Sequence, residues 1–219
     1  MGLIAYDFNR KINFLWAFKK LEPYSERENG VVIFCGRQGQ GKTTSLAEYI
    51  LTMKKKYPDC HIYSNMPFNG IEYESIFAED IYSLKLDNSV QNIIVIDEIS
   101  SIFTALSSKQ LSGSVYQCFC QLRKRGALVI GTAQRFDRIS TALREQCNLI
   151  VDCQRIGRLQ LNRVFNIEDS SEGVETLPKM ATMYFFFPTQ EVYNLFDSGH
   201  IIKSKEVAQS ESRRNKRVC

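Results

Sequence analysis

The sequence predicts an α/β fold: a parallel β-sheet sandwiched by helices, with a C-terminal β-hairpin appendage. Three observations lead there. Short, continuous apolar runs recur at 31–35, 61–64, 93–96, 128–132 and 149–153, the pattern of strands buried on both faces. Stretches with helical spacing, 43–56, 114–125 and 138–147, separate most of them, as the crossovers between parallel strands require. After Asp152 the texture changes. Leu159, Leu161 and Phe165 alternate with polar residues, and 182–187 is a second extended run ending at Pro188. The two read as a hairpin or edge pair around the polar loop from Glu168 to Gly173. The chain divides accordingly into a partly amphipathic lead-in segment 1–29, a core 30–157, a β-rich appendage 158–202 packed on that core, and a basic tail 203–219 expected to be disordered.

Composition bounds the rest. With 219 residues, 44% of them hydrophobic, the chain can fill one domain core. The net charge of +4 belongs to the tail, where Lys203, Lys205, Arg213, Arg214, Lys216 and Arg217 face only Glu206 and Glu211. Residues 1–202 are formally neutral. Such a tail suits nucleic acid phosphates or an acidic surface, and equally suits a solvated end. Seven cysteines (35, 60, 118, 120, 147, 153 and 219) include no C-x-x-C pair, which fits a reducing compartment better than a disulfide framework. Cys60-His61 and Cys118-x-Cys120 could ligate a metal, but no second cluster supplies further ligands. No apolar stretch approaches the ~20 residues that span a bilayer. Ile12 to Phe18 is interrupted by Asn13 and flanked by basic pairs, so neither a transmembrane segment nor a signal peptide is expected. The expected location is cytoplasmic.

The most specific signal is Gly36-Arg37-Gln38-Gly39-Gln40-Gly41-Lys42-Thr43, which fits G-x-x-x-x-G-K-[ST] at every fixed position. It lies between an apolar run and a helical pattern, the context that gives the motif its mechanism. The glycines let backbone N–H groups curl around a phosphate, and the following helix N-terminus adds positive potential. Lys42 would reach the β- and γ-phosphates of ATP, the Thr43 hydroxyl would sit on Mg²⁺, and Thr44 would complete the nucleotide site.

Two strand ends carry the remaining chemistry. Ile93-Ile94-Val95-Ile96 runs into Asp97-Glu98. Asp97 would hold Mg²⁺ directly or through water, and Glu98 would polarise the water that attacks the γ-phosphate. Leu128 to Ala133 ends at Gln134, placed to hydrogen-bond the γ-phosphate or the lytic water, or simply to cap the strand.

Gly131-Thr132-Ala133-Gln134-Arg135, followed by Ile139, Leu143-Arg144 and Cys147, resembles the sensor region of the FtsK/HerA superfamily of DNA-translocating P-loop ATPases. Gln121 to Gly126 and Val151 to Arg155 resemble the same superfamily. Within it, the order and spacing are most similar to the zonula occludens toxin-like ATPases of filamentous phages and to the small genome-packaging ATPases of membrane-containing viruses. The resemblance covers roughly residues 30–155. It implies a P-loop NTPase sheet of the ASCE/RecA-like kind, with the Gln134 strand between those ending at Cys35 and Ile96. It also implies ATP and Mg²⁺ as cofactors, DNA as a partner, and a homo-oligomeric ring, by analogy a hexamer. A viral capsid or a membrane-associated assembly factor is a further partner class. In such rings an arginine from the neighbouring subunit stabilises charge on the transferred phosphoryl group. The candidates are Arg123, Arg125, Arg135, Arg138 and Arg144, with Arg123 and Arg144 leading. The transmembrane helix and far-side domain of the phage assembly ATPases, and the large extra domains of FtsK and HerA, have no counterpart in the sequence. That favours a packaging or bare-motor reading over membrane extrusion.

The expected function is therefore an ATP-hydrolysing DNA translocase. Alternatives are an assembly or extrusion ATPase of the zonula occludens toxin type, and a nucleotide-binding scaffold with little turnover. A small-molecule kinase would need an arginine-rich lid, and a replication helicase loader fits Gln134 less well. The polar stretch Ser107 to Ser114, with Lys109, is either a DNA-contacting loop or plain surface. Tyr184 to Phe187 reads as strand core or subunit contact rather than a base-stacking platform.

Overall fold

The computed structural model describes residues 29–100, 111–167 and 180–196. Residues 1–28 of the lead-in segment, the stretch 101–110 around Lys109 and the basic tail lie outside the described residues. Eight strands form one sheet: β1 (Gly30–Cys35), β2 (His61–Ser64), β3 (Glu74–Ser75), β4 (Asn92–Ile96), β5 (Ala127–Ala133), β6 (Cys147–Ile156), β7 (Leu159–Asn166) and β8 (Met180–Phe186). Their order is β3-β2-β4-β5-β1-β6-β7-β8. Neighbours pair in parallel from β3 through β6, and antiparallel from β6 through β8. The described helices are α1 (Lys42–Lys56), α2 (Leu111–Lys124), α3 (Thr141–Arg144) and α4 (Gln190–Asn194), with 3₁₀ turns at Ala78–Tyr82 and Phe136–Arg138.

The parallel strands are buried on both faces, as their unbroken apolar runs demand. Val32, Phe34, Ile93, Val95, Leu128 and Ile130 pack with Leu46, Tyr49, Ile50 and Met53 of α1 and with Val192 and Leu195 at α4. Val31, Ile33, Cys35, Ile94, Ile96 and Val129 point the other way, onto Phe119 and Leu122 of α2 and Leu143 of α3. Along α1 the residues Leu46, Tyr49, Ile50 and Met53 recur at helical spacing and are fully buried, each side chain stabilising the fold by about 1.5–3 kcal/mol. Lys54, Lys55 and Lys56 fill its last turn, where cations complement the carbonyl end of the helix dipole.

The structure corrects two predicted elements, the first being the polar stretch Ser107 to Ser114, whose described residues 111–114 open α2. The helix expected over 138–147 is a 3₁₀ turn followed by the four-residue α3, and β6 has begun by Cys147. The chain leaves the sheet at the C-terminal end of β5 and must re-enter at the N-terminal end of β6, and Cys147 is already paired with Val31. A register shift follows between Val31 and Val32. There the Asn148 side chain accepts the Val31 N–H at 2.8 Å, and Gly30, at φ 109°, leaves the room it occupies: a Cβ there would lie 2.3 Å from Asn148 Oδ1. Pairing to β1 outweighed the helical periodicity.

Beyond Asp152 the sheet continues without a break. Residues 154–156 of β6 project past β1, Gly157 turns the chain at φ 61°, and β7 returns alongside from Leu159 to Asn166. Asn162 pairs with Tyr184 and Leu161 with Phe185 across to β8. Tyr184 and Phe186 are buried, and Phe185 and Phe187 lie on the opposite, exposed side.

Candidate active site

Because β4, β5 and β1 are adjacent and parallel, their C-terminal ends deliver three short segments to one edge of the sheet. From β1 comes the loop 36–41, from β4 come Asp97 and Glu98, and from β5 come Thr132 to Gln134. The strand order implied by the resemblance is the one observed.

The glycine loop is shaped by conformation and by what stands behind it. Gly39 and Gly41 lie at φ 80° and 78°, a region that L side chains rarely adopt. Gly36 has Cys153 O within 2.8 Å of where a Cβ would sit. Gln40 N–H closes a turn on Arg37 O at 3.1 Å, while Arg37, Gln38 and Gly39 face solvent. Gly41 caps α1, and the first helical turn carries no acidic residue. Its N–H groups and positive potential are therefore available to an anion. Lys42 and Thr43 lie half-buried at the start of α1, whereas Thr44 is buried. The Gln40 side chain turns away from the loop's open side, its Oε1 accepting the Arg155 N–H at 3.1 Å. Gln40 can meet a phosphate only through its backbone.

The acidic pair is fixed by Asn65, which the sequence did not single out, and by Thr132, which it showed only as part of the stretch 131–135 and without a role. Asn65, after β2, accepts the Asp97 N–H at 2.8 Å and donates to Asp97 O at 3.2 Å. Buried Thr132 accepts the Glu98 N–H at 2.9 Å, and its hydroxyl donates to Asp97 Oδ1. Glu98 is the one described non-glycine residue with positive φ, at 51°. That left-handed step re-aims the chain just after the strand, at a cost of about 1–3 kcal/mol. Burial and the neighbouring Asp97 charge push the Glu98 carboxyl above the ordinary range, opposed by Lys42 and by a hydrogen bond from Gln134. Lys42, Asp97, Glu98 and Gln134 thus form one electrostatic group. The Asp97 carboxylate and the Thr43 hydroxyl at the start of α1 are oxygen donors of the hard type that suits Mg²⁺ completed by water and phosphate. Among the described residues no three His, Cys, Asp or Glu side chains gather into a further metal site.

The five candidate arginines fall into three groups. Arg123 sits beside Gly30, Val31 and Ala127, at the N-terminal ends of β1 and β5, about 17 Å along β1 from the phosphate loop by strand rise. Arg144, on α3, lies at that same lower edge, where its Nη2 donates to Thr141 Oγ1 at 3.2 Å. Neither joins the phosphate site of its own chain. Arg125 reaches Leu84 O and Leu86 O at 3.3 and 3.1 Å and ties down the loop before β4. Arg135 and Arg138 follow Gln134 and are exposed, with Arg135 paired to Asp137 at 2.5 Å. Arg155, not foreseen as a site residue, stands next to the loop, its side chain held by Gly157 O at 3.1 Å and Tyr193 OH at 2.9 Å.

No helix among the described residues is long and apolar enough to cross a membrane. No curated protein sequence matches the chain. Among solved structures, the N-terminal domain of zonular occludens toxin from Neisseria meningitidis superposes with a TM-score of 0.61 at 15% identity, over 77% of this chain and 99% of that one. B204, the DNA-packaging ATPase from Sulfolobus Turreted Icosahedral Virus, superposes with a TM-score of 0.51 at 13% identity, over 73% and 98% of the two chains. The genome packaging NTPase B204 of Sulfolobus turreted icosahedral virus 2, in complex with AMPPCP, gives 0.51 at 14% identity over 74% and 98%. At such identities the likeness is one of fold. The model of the ATPase family associated with various cellular activities (AAA) matches residues 32–155. That match runs from within β1 to the part of β6 that backs the phosphate loop, and on that extent the chain belongs to the AAA ATPase family.

Proposed function

We propose that this protein hydrolyses ATP to drive the movement of DNA, as a genome packaging or export motor of a virus or mobile element working as an oligomeric ring. The observation that carries the hydrolytic half is the convergence of Lys42, Asp97, Glu98 and Gln134 at one sheet edge, beside a helix N-terminus kept free of carboxylates. The loop N–H groups and Lys42 would bind the phosphates, and Thr43 and Asp97 would hold Mg²⁺, which when bound neutralises phosphate charge. Glu98, with its raised pKa, is suited to take a proton from water at the γ-phosphate, and Gln134 to orient that water and register whether the γ-phosphate is present. The position of Arg123 and Arg144, remote from the chain's own site, is compatible with a role on a neighbouring subunit's nucleotide.

The DNA half rests on the superfamily resemblance of residues 121–155 and on a fold shared with a viral DNA-packaging ATPase. The higher fold likeness to the zonular occludens toxin domain favours one second reading, an assembly or extrusion ATPase of that type. ATPase turnover measured with and without double- and single-stranded DNA, with Glu98→Gln as the blank, tests both. Several-fold stimulation by DNA that Glu98→Gln abolishes is the expected result. Turnover indifferent to every nucleic acid would remove the motor reading and leave the assembly ATPase.

A further inference from the structure

Behind Gln40 and Gly41, on the β7 side of the loop, lies a chain of buried amides that the nucleotide-binding motif does not account for. Gln160 and Asn162 on β7 are fully buried, and Tyr184 on β8 and Ser45 on α1 nearly or fully so. Gln160 Nε2 donates to Gln40 O at 3.0 Å and to Asn162 Oδ1 at 3.2 Å. Asn162 Oδ1 also accepts the Ser45 hydroxyl at 3.0 Å, and Asn162 Nδ2 donates to Tyr184 OH at 2.7 Å. The orientation of the Gln160 amide follows from its partners: a carbonyl can only accept, so the NH₂ must face Gln40 O. Its Oε1 is then left against Gly41 without a partner among the described residues, 2.0 Å from where a Gly41 Cβ would be. A buried acceptor left unpaired is costly, and an apolar side chain of the same size would avoid that cost. What the amide supplies, and an apolar side chain could not, is its N–H donors to Gln40 O and Asn162 Oδ1.

We propose that Gln160 is a positioning residue for the nucleotide site. Its side chain holds the Gln40 carbonyl back toward β7, so that the amides of loop 36–41 are left free to face the phosphates, and Asn162 and Tyr184 hold Gln160 in turn. The Arg155 N–H on Gln40 Oε1 fixes the same residue from its other end. The antiparallel extension of the sheet is thus the backing of the phosphate loop, not merely an appendage beside it. Gly41 is glycine for two reasons at once, its backbone conformation and the amide packed on its Cα. This inference rests on the reading of the loop as an ATP site.

The test is equilibrium binding of a fluorescent ATP analogue, with circular dichroism melts, for the wild type, Gln160→Met, Gln160→Glu and Lys42→Ala, across pH 5.5 to 8.5. Gln160→Met keeps volume and removes the donors. It should bind ATP about three- to tenfold more weakly while melting close to wild type. In Gln160→Glu the introduced carboxyl donates only when protonated, and when ionised it repels the phosphates. Its affinity relative to wild type should therefore recover as pH falls, a profile that a packing role would not produce. Gln160→Met binding as tightly as wild type, or a Gln160→Glu to wild-type ratio flat with pH, would overturn the proposal. Wild-type protein that binds no ATP, or binds it equally well after Lys42→Ala, would instead overturn the nucleotide reading and this inference with it.

Discussion

Thr132→Val isolates the hydroxyl that joins the two acidic residues. Thr132 is fully buried, and valine matches its shape, so the substitution removes polar contacts without opening a cavity. Two are lost: the acceptor for the Glu98 N–H at 2.9 Å and the donor to Asp97 Oδ1. A hydrogen bond to a charged carboxylate contributes about 1.5–3 kcal/mol, and the orphaned amide adds up to about 1 kcal/mol, because Glu98 is only half-buried and water can partly replace its partner. The expected loss is about 2–4 kcal/mol, which for a chain of this size lowers Tm by about 5–15 °C. The same contacts orient Asp97 and Glu98, so kcat should fall about 10- to 100-fold, the range seen when the partners that orient a catalytic group are removed. Thr132→Ser keeps the hydroxyl and loses one buried methyl, about 1 kcal/mol, and should keep most of kcat. Steady-state ATPase assays and thermal melts of the two variants decide the matter. Wild-type kcat in Thr132→Val, or equal inactivity of both variants, would refute the role of the hydroxyl.

Glu98 accepts a proton only when ionised, so with its pKa raised the ATPase rate should fall with decreasing pH at values above those of an ordinary carboxylate, and a pH–rate profile reads that limb. Glu98→Gln should bind ATP yet lose about 10²- to 10⁴-fold in turnover. Burial disfavours the ionised form in the folded state, a cost fully present above the folded pKa and absent below the unfolded one. Glu98→Gln should therefore melt higher than wild type at neutral pH, and the difference should vanish in acid. Gly41→Ala places a Cβ 2.0 Å from Gln160 Oε1 at φ 78°, and should abolish ATP binding in a calorimetric titration and lower Tm. Arg125→Ala frees the carbonyls of Leu84 and Leu86 and should cost about 1–2 kcal/mol of stability in a denaturant titration.

The parts of this protein whose chemistry is contiguous are legible in the sequence. A phosphate loop needs glycines, a lysine and a hydroxyl within eight residues, and Gly36 to Thr43 supplies them in order. A doubly buried strand reads as an apolar run, and the runs at 31–35 and 93–96 are β1 (Gly30–Cys35) and β4 (Asn92–Ile96) but for one residue at the start of each. Asp97 and Glu98 stand out because carboxylates at the end of such a strand break its pattern. The order of β4, β5 and β1 was legible only through family resemblance, since periodicity says which face is buried and not which strand lies beside which. What holds the site emerges only from the fold. Asn65 is 32 residues from Asp97, Thr132 is 35 from it, and Gln160 is 120 from Gln40. The fold also decided that 138–147 is mostly not helix, because Cys147 pairs with Val31 across the sheet. A side chain that completes a hydrogen bond with a residue so distant obeys no local spacing rule. Its identity is set by a partner that only the folded sheet brings within 3 Å.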